Sequence, residues 1–96
     1  MTGRPLQRPI VTVRYCTQCR WLLRATWLSQ ELLTTFPTQI DVLLSPGTGG
    51  IFEVELDGQV IFSRATAGRF PEPKELKQDI RDRVLPHLSL GHSDRK

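Results

Sequence analysis

The sequence is poor in cysteine and in aromatic residues: among its 96 residues there are two cysteines, and the aromatic content is 7%. Two cysteines are too few for the disulfide framework of a small secreted protein. No apolar run approaches the ~18 residues of a membrane span, and residues 1–9 lack the apolar segment of a secretory signal. The net charge is only +3 and the cations are scattered among the acids, which argues against nucleic-acid binding. We therefore expect a cytoplasmic protein with one small hydrophobic core.

The spacing of apolar residues switches along the chain between the period of a strand and that of a helix. Alternation from Ile10 to Tyr15 predicts a strand, whereas spacings of three and four residues up to Phe36 predict a helix. Asp57-Gly58 predicts a tight hairpin turn, because both positions of such a turn need positive φ. The predicted strands are 10–15, 40–45, 51–56 and 59–64, and the predicted helices are 18–36 and 73–84, with a loop over 65–73.

These elements predict an α/β fold. The first strand, helix and second strand form a βαβ unit with a right-handed crossover and parallel strands, and the hairpin adds antiparallel strands. We predict a thioredoxin-like two-layer sandwich in the order β-α-β-β-β-α, with a four-stranded mixed sheet and both helices on one face. The predicted domain covers residues 10–88, with a flexible arm at 1–9 and a flexible tail at 89–96.

The other face of the predicted sheet has no helix to cover it. A regular hairpin from Asp57-Gly58 places Val60 and Phe62 on that face, and Leu43 points the same way. We therefore predict a partly apolar open face that supports a homodimer or the docking of a partner.

The two cysteines stand as Cys16-x-x-Cys19 at the junction of the first strand and the first helix. A helix N-terminus offers unpaired N–H groups and about half a positive charge, which stabilise a thiolate. The spacing also lets the two sulfurs form an intramolecular disulfide. This context predicts a redox-active dithiol. By analogy with thioredoxins, we expect Cys16 to attack, because the first cysteine of such a motif is usually the more exposed, while Cys19 stays open as the alternative attacking sulfur.

Two structural interpretations of the same cysteines stay open. A purely stabilising disulfide is one, although closing so small a loop contributes only about 2 kcal/mol. A zinc site is the other, and a structural zinc ion needs four ligands. His87 and His92 lie in or beyond the last predicted helix, far from the cysteines. A zinc site would therefore need two cysteines from each of two chains.

Several short motifs, in order, resemble the selenoprotein W-like proteins, the Rdx group that includes selenoproteins T and H. The resemblance covers roughly residues 10–85 and includes sulfur at both motif positions, as in many bacterial members. The motifs are Val11-Thr12-Val13-Arg14-Tyr15-Cys16-x-x-Cys19, Phe36-Pro37, Gly50-x-Phe52-Glu53-Val54, Asp57-Gly58-x-x-Ile61-x-Ser63-Arg64 and Gly68-Arg69-Phe70-Pro71.

The resemblance implies a thioredoxin-like fold and a thiol-disulfide redox role in cell redox homeostasis, with a link to glutathione. Protein thiols or disulfides are the implied partners, and no tightly bound cofactor is expected. Arg20, Arg24 and Arg69 are candidates to bind the carboxylates of glutathione through bidentate hydrogen bonds. Leu23 and Trp27 lie off the core stripe of the first helix and are candidates for partner contact. The alternative function is a non-catalytic interaction module that senses oxidation.

Overall fold

The computed structural model describes residues 8–94, in which the strands and long helices follow the predicted order. One further short helix, α2 (Arg64–Ala67), follows the hairpin, where the end of a strand and a loop were predicted. No helix within residues 8–94 is long and apolar enough to cross a membrane. The elements are β1 (Ile10–Cys16), α1 (Leu22–Thr35), β2 (Asp41–Gly47), β3 (Phe52–Leu56), β4 (Gln59–Ser63), α2 (Arg64–Ala67), α3 (Pro73–Val84) and a 3₁₀ helix (Gly91–Ser93).

The four strands form one mixed sheet in the order β2-β1-β3-β4, as predicted. β1 pairs parallel with β2 and antiparallel with β3, and β4 pairs antiparallel with β3. Helices α1 and α3 contact each other, and their apolar stripes pack against one face of the sheet. The two-layer α/β sandwich is therefore confirmed. Its fully buried centre consists of Val11, Val13, Ala25, Leu28, Leu32, Phe36, Ile40, Phe52, Val54, Leu76 and Ile80.

The hairpin turn has the predicted backbone conformation. Asp57 has φ 51° and Gly58 has φ 87°, which is the left-handed pair that a two-residue turn needs. Asp57 also fastens the turn to β1: its carboxylate accepts a hydrogen bond from the Ile10 N–H at 2.9 Å, and its own N–H donates to the Ile10 carbonyl at 2.9 Å.

The register of the hairpin departs from the predicted one after two pairs of residues. Glu55 faces Val60 as a regular hairpin requires, but Val54 faces Phe62, so Ile61 is the extra residue of a β-bulge. Phe62 therefore shares a face with Val54 and packs against the core. The prediction that Phe62 lies on the open face is wrong, because the bulge shifts the alternation of side chains by one residue.

The open face of the sheet keeps two of its three predicted apolar residues. Leu43 is 55% exposed and Val60 is 47% exposed. Between them Arg14 lies across the strands, donating to the Ser45 hydroxyl at 2.9 Å and to the Glu55 carboxylate at 3.1 Å. The face is thus smaller and more polar than predicted, and self-association through it stays a prediction.

The segments next to the predicted domain contact it where the structure describes them. Arg81, which is buried, donates to the Leu88 carbonyl at 2.7 Å and pairs with the Asp94 carboxylate. Asp94 also accepts from the Leu90 N–H at 3.0 Å. At the other end, Arg8 donates to the Thr38 carbonyl at 3.1 Å. The rest of the predicted arm and tail, residues 1–7 and 95–96, lies outside the described residues.

Helix α3 begins at a well-defined cap. Pro73 occupies the first turn, and the Glu72 N–H donates to the Glu75 carboxylate at 2.8 Å. Arg69 donates to both oxygens of that carboxylate, at 2.6 and 3.0 Å. The hydrogen bond from Arg69, followed by that of the Glu72 backbone, lowers the pKa of Glu75 below its usual range against the effect of burial.

We predict that Glu75→Gln lowers the free energy of unfolding at neutral pH by about 0.5–1 kcal/mol, because glutamine keeps the capping hydrogen bond from the Glu72 N–H but loses the charge-assisted pair with Arg69. Because the folded protein lowers the pKa of Glu75, this stabilisation is present above the unfolded-state pKa and is lost as the pH falls through the folded-state pKa. Urea unfolding at several pH values should therefore show the two proteins converging in acid. Asp79→Asn, which removes an exposed pair with Arg83, is the control and should cost at most about 0.5 kcal/mol. A difference that is constant with pH would contradict the prediction.

Candidate functional site

Both cysteines lie at a separate turn that precedes α1. The Arg20 N–H donates to the Thr17 carbonyl at 3.1 Å, and the Trp21 N–H donates to the Cys16 carbonyl at 3.3 Å. Arg20 has φ 62°, a left-handed conformation that ends a helical turn. This is the hydrogen-bond pattern of a Schellman motif. The prediction that α1 begins at Gln18 is therefore wrong, because the chain must leave this turn at Arg20 before α1 can begin.

The turn separates the two sulfurs by exposure while keeping them in contact. Cys16 is the last residue of β1 and has 0% exposure, whereas Cys19 is exposed. Both are free thiols, and the Cys19 Sγ donates to the Cys16 Sγ at 2.7 Å. The expectation that Cys16 is the more exposed sulfur is wrong. The reason is that Cys16 belongs to the central strand and not to a helix start.

A glycine at the end of β2 lets the backbone pass close beneath this turn. Gly47 pairs with Cys16 in the parallel ladder, and its carbonyl accepts from the Thr17 N–H at 3.0 Å and from the Thr17 hydroxyl at 3.2 Å. A Cβ at Gly47 would lie 2.8 Å from the Ile51 Cγ2. The missing side chain of Gly47 therefore leaves room for Ile51, while the Gly47 carbonyl holds the start of the turn.

The same loop contributes to the acidity of the buried thiol. The hydrogen bond from Cys19 lowers the pKa of Cys16, as do the backbone N–H groups of Gly50, Cys19 and Gln18, against the effect of burial. The pKa of Cys19 is raised, first by its hydrogen bond to Cys16 and then by burial, while the charge of Arg64 acts in the opposite direction. Within the reduced pair, these shifts therefore favour the thiolate on Cys16 and the proton on Cys19.

Three aromatic rings support the turn from the side of the core. Trp21 and Phe70 meet edge to face with 4.9 Å between ring centroids, and Phe52 and Phe70 do so at 5.2 Å. Phe52 comes from β3 and Phe70 from the segment between α2 and α3. Trp21 therefore packs against the core while it closes the turn.

The predicted arginines have different surroundings. Arg20 is exposed in the cysteine turn, and the guanidinium of Arg24 stacks 3.9 Å from the centroid of the Phe70 ring. Arg69 is held by both oxygens of Glu75 and by the Phe70 carbonyl at 3.1 Å. Its role in binding glutathione stays a prediction, and its guanidinium already has a carboxylate partner.

Arg64 is the site residue that the sequence analysis missed. It begins α2, and its guanidinium carbon lies 4.9 Å from the centroid of Trp21 and 4.8 Å from that of Phe70. The signal for α2 was present: Ser63 caps the helix by accepting from the Thr66 N–H, and Gly68 ends it with positive φ.

Apolar side chains continue the exposed surface beyond Cys19. Leu22, Leu23 and Trp27 of α1 are exposed, and Leu23 reaches 83%. The expectation that Leu23 and Trp27 lie outside the core is confirmed, while their role in partner contact stays a prediction. Within residues 8–94, no three histidine, cysteine or acidic side chains group as a metal site.

Comparison with known proteins identifies the family of this chain. The profile of the Rdx family matches residues 10–82. The chain belongs to the Rdx family. Among its relatives are the proteins called migration and invasion enhancer 1 from Mus musculus and Bos taurus, each 32% identical over 71 residues and 74% of this chain. The chain spans 61% of the length of these mammalian Rdx relatives.

Two solved bacterial structures resemble this Rdx chain more closely. A selenoprotein W-related protein from Vibrio cholerae is 48% identical with a TM-score of 0.78, covering 81% of this chain and 99% of the other. A protein from Bordetella parapertussis is 49% identical with a TM-score of 0.77, covering 79% and 98%. The family match over residues 10–82 spans the four strands, α1, α2 and most of α3.

We predict that Gly47→Ala destabilises the protein by about 1–3 kcal/mol, because its methyl group overlaps the stiff side chain of Ile51. The measurement is urea unfolding of the single variants Gly47→Ala and Ile51→Ala and of the double variant. In the double variant the overlap is absent. The losses in free energy of unfolding of the two single variants should therefore add up to more than the loss in the double variant. Strictly additive costs would mean that the loop relaxes without strain.

Proposed function

We propose that this Rdx protein is a thiol-disulfide redox protein that uses Cys16 and Cys19 as its reactive pair. The observation that carries the proposal is the 2.7 Å contact between an exposed sulfur and a buried one whose pKa is lowered. A stabilising disulfide would not need an exposed sulfur beside a buried thiolate. Reduction and oxidation of this pair need no movement of a secondary-structure element.

The two sulfurs have different roles in this proposal. Attack on a substrate disulfide requires both thiolate character and access. Cys16 has the lowered pKa but no exposed surface, so Cys19 is the sulfur that meets the substrate. A proton passing from Cys19 to Cys16 across their hydrogen bond creates the attacking thiolate. The acidity then belongs to the pair and not to either residue.

The exchange conserves electrons in two steps. The Cys19 thiolate attacks one sulfur of the substrate disulfide, and the other sulfur leaves as a thiolate with the electron pair of the broken bond. The leaving thiolate takes the proton that Cys16 had received, and Cys16, again a thiolate, attacks the Cys19 Sγ and releases the second substrate thiolate. The substrate gains two electrons and the one proton of the pair, the second substrate thiolate takes its proton from water, and the protein keeps a Cys16–Cys19 disulfide. Two equivalents of a low-molecular-mass thiol such as glutathione reduce it again.

The charge around Cys19 supports a glutathione link. Arg20 and Arg24 have no carboxylate partner within residues 8–94, so both are available for the carboxylates of a thiol peptide. Arg69 would have to leave Glu75 to take part. The exposed side chains of Leu23 and Trp27 favour protein disulfides as further substrates. A cytoplasmic location, where glutathione is abundant, fits this role.

The test is to trap the intermediate with single cysteine variants. In Cys16→Ser, Cys19 should form a mixed disulfide with oxidised glutathione that is not resolved, giving a stable adduct by intact mass. In Cys19→Ser no comparable adduct should form, because the remaining sulfur is buried. The unmodified protein should turn over small disulfides, and both variants should lose turnover.

Two results would contradict this proposal. An adduct only in Cys19→Ser would reverse the roles of the two sulfurs. If the unmodified protein does not turn over disulfides while its oxidation changes its affinity for a partner protein, it is a redox-sensing interaction module and the enzymatic proposal fails.

We also predict that iodoacetamide modifies Cys19 before Cys16 in the reduced protein, because only Cys19 is exposed. Peptide mapping after brief alkylation measures the order. The same reaction in urea is the control, and there the two residues should react at similar rates. Preferential modification of Cys16 in the folded protein would show that access does not control reactivity.

A further inference from the structure

The arginines of this protein divide into two groups by their partners. Five of the eight within residues 8–94 pair with a carboxylate. The other three have no carboxylate partner among those residues, and they lie at or beside the cysteine turn. The paired arginines are Arg8, Arg14, Arg69, Arg81 and Arg83, and the others are Arg20, Arg24 and Arg64. Among the described arginines, those elsewhere are therefore paired with carboxylates, and those at the dithiol are not.

Arg64 is the most tightly placed of the three. Its guanidinium lies over the Trp21 and Phe70 rings, at 4.9 and 4.8 Å from their centroids. Its Nε is buried and has no hydrogen-bond partner within the described residues. Trp21 closes the cysteine turn through its hydrogen bond to the Cys16 carbonyl. The cation is thus fixed against the wall of the turn, and a buried N–H without a partner is a costly arrangement for a purely structural residue.

We propose that Arg64 is a positioning residue of the dithiol, which stabilises negative charge on the Cys19 sulfur as it attacks a substrate disulfide. This inference rests on the proposed function for its catalytic meaning. In that attack Cys19 is a terminal sulfur of the three sulfurs in line, and the terminal sulfurs carry most of the negative charge. A cation fixed against Trp21 at the cysteine turn assists this step without reorganising.

The charged and titratable groups around Cys19 act in known directions. Cys16 at the end of β1 opposes ionisation of Cys19, and Arg64 on α2 favours it. Arg20 belongs to the same turn and is exposed, while Arg24 of α1 is stacked on Phe70. From the loop before β3 the contribution is the uncharged N–H of Gly50. In the absence of Cys16, we expect the loss of Arg64 to raise the pKa of Cys19 more than the loss of another cation would.

The experiment compares two variants in a Cys16→Ser background, where Cys19 is the only thiol. Arg64→Met and Arg64→Lys both keep an unbranched stem over the aromatic rings, but only lysine keeps the charge. The rate of Cys19 alkylation by iodoacetamide is measured against pH. Arg64→Met should shift the midpoint to higher pH and slow alkylation several-fold at neutral pH, and Arg64→Lys should restore most of both.

Arg83→Met, which removes a charge distant from the turn, is the matched control and should leave the profile unchanged. Equal profiles for Arg64→Met and Arg64→Lys, or an unshifted Arg64→Met, would overturn the inference. Should Arg64→Met not fold, Arg64→Gln replaces it with the same expected shift. Alkylation does not depend on turnover, so these outcomes are separate from a failure of disulfide exchange.

Discussion

The site depends on one close approach between two parallel strands. The ladder of β1 and β2 ends at the pair Cys16 and Gly47, and the next residue, Thr17, makes two hydrogen bonds to the Gly47 carbonyl. This contact fixes the last residue of the central strand below the surface and starts the turn that carries Cys19. Burial of one sulfur and exposure of the other are therefore properties of the sheet, not of the loop alone.

The electrostatics of the pair follow from that placement. A thiol at a helix N-terminus would owe its acidity to the helix dipole, but here the N–H groups belong to the turn and to Gly50. They surround a sulfur that has no contact with water, where each hydrogen bond is stronger than at the surface. The hydrogen bond between the sulfurs lowers the pKa of the buried Cys16 and raises the pKa of the exposed Cys19. Closely spaced charges in a site of this kind do not titrate independently.

The sequence predicted those parts of the fold that repeat a local pattern. β1, the stripe of α1 and the turn at Asp57 each carry a periodic or two-residue signal that tertiary contacts only reinforce. The bulge at Ile61 has no such signal, because it is decided by whether Phe62 packs better on one face than on the other. The same holds for the cysteine turn: nothing in the type of residue at Arg20 predicts its positive φ.

The residue types of the candidate site could be predicted from the sequence more readily than their placement. The cysteine spacing and its place after a strand singled out the two cysteines as candidate site residues, whereas the burial of Cys16 depends on the strand reaching one residue further than the alternation showed. Arg64 was hidden for another reason. An arginine without an acidic partner is recognised only when the partners of the other arginines are known, and the partners of Arg8, Arg14 and Arg81 are distant in the chain.

The β-bulge has a consequence for the behaviour of this protein among its own copies. β2 and β4 are the two outer strands of the sheet, and outer strands offer unpaired backbone groups to a neighbouring chain. The bulge interrupts the regular spacing of those groups on β4, and Pro46 removes one N–H from β2. Both outer strands of the sheet are thus poor templates for strand addition, which disfavours edge-to-edge aggregation of this small protein.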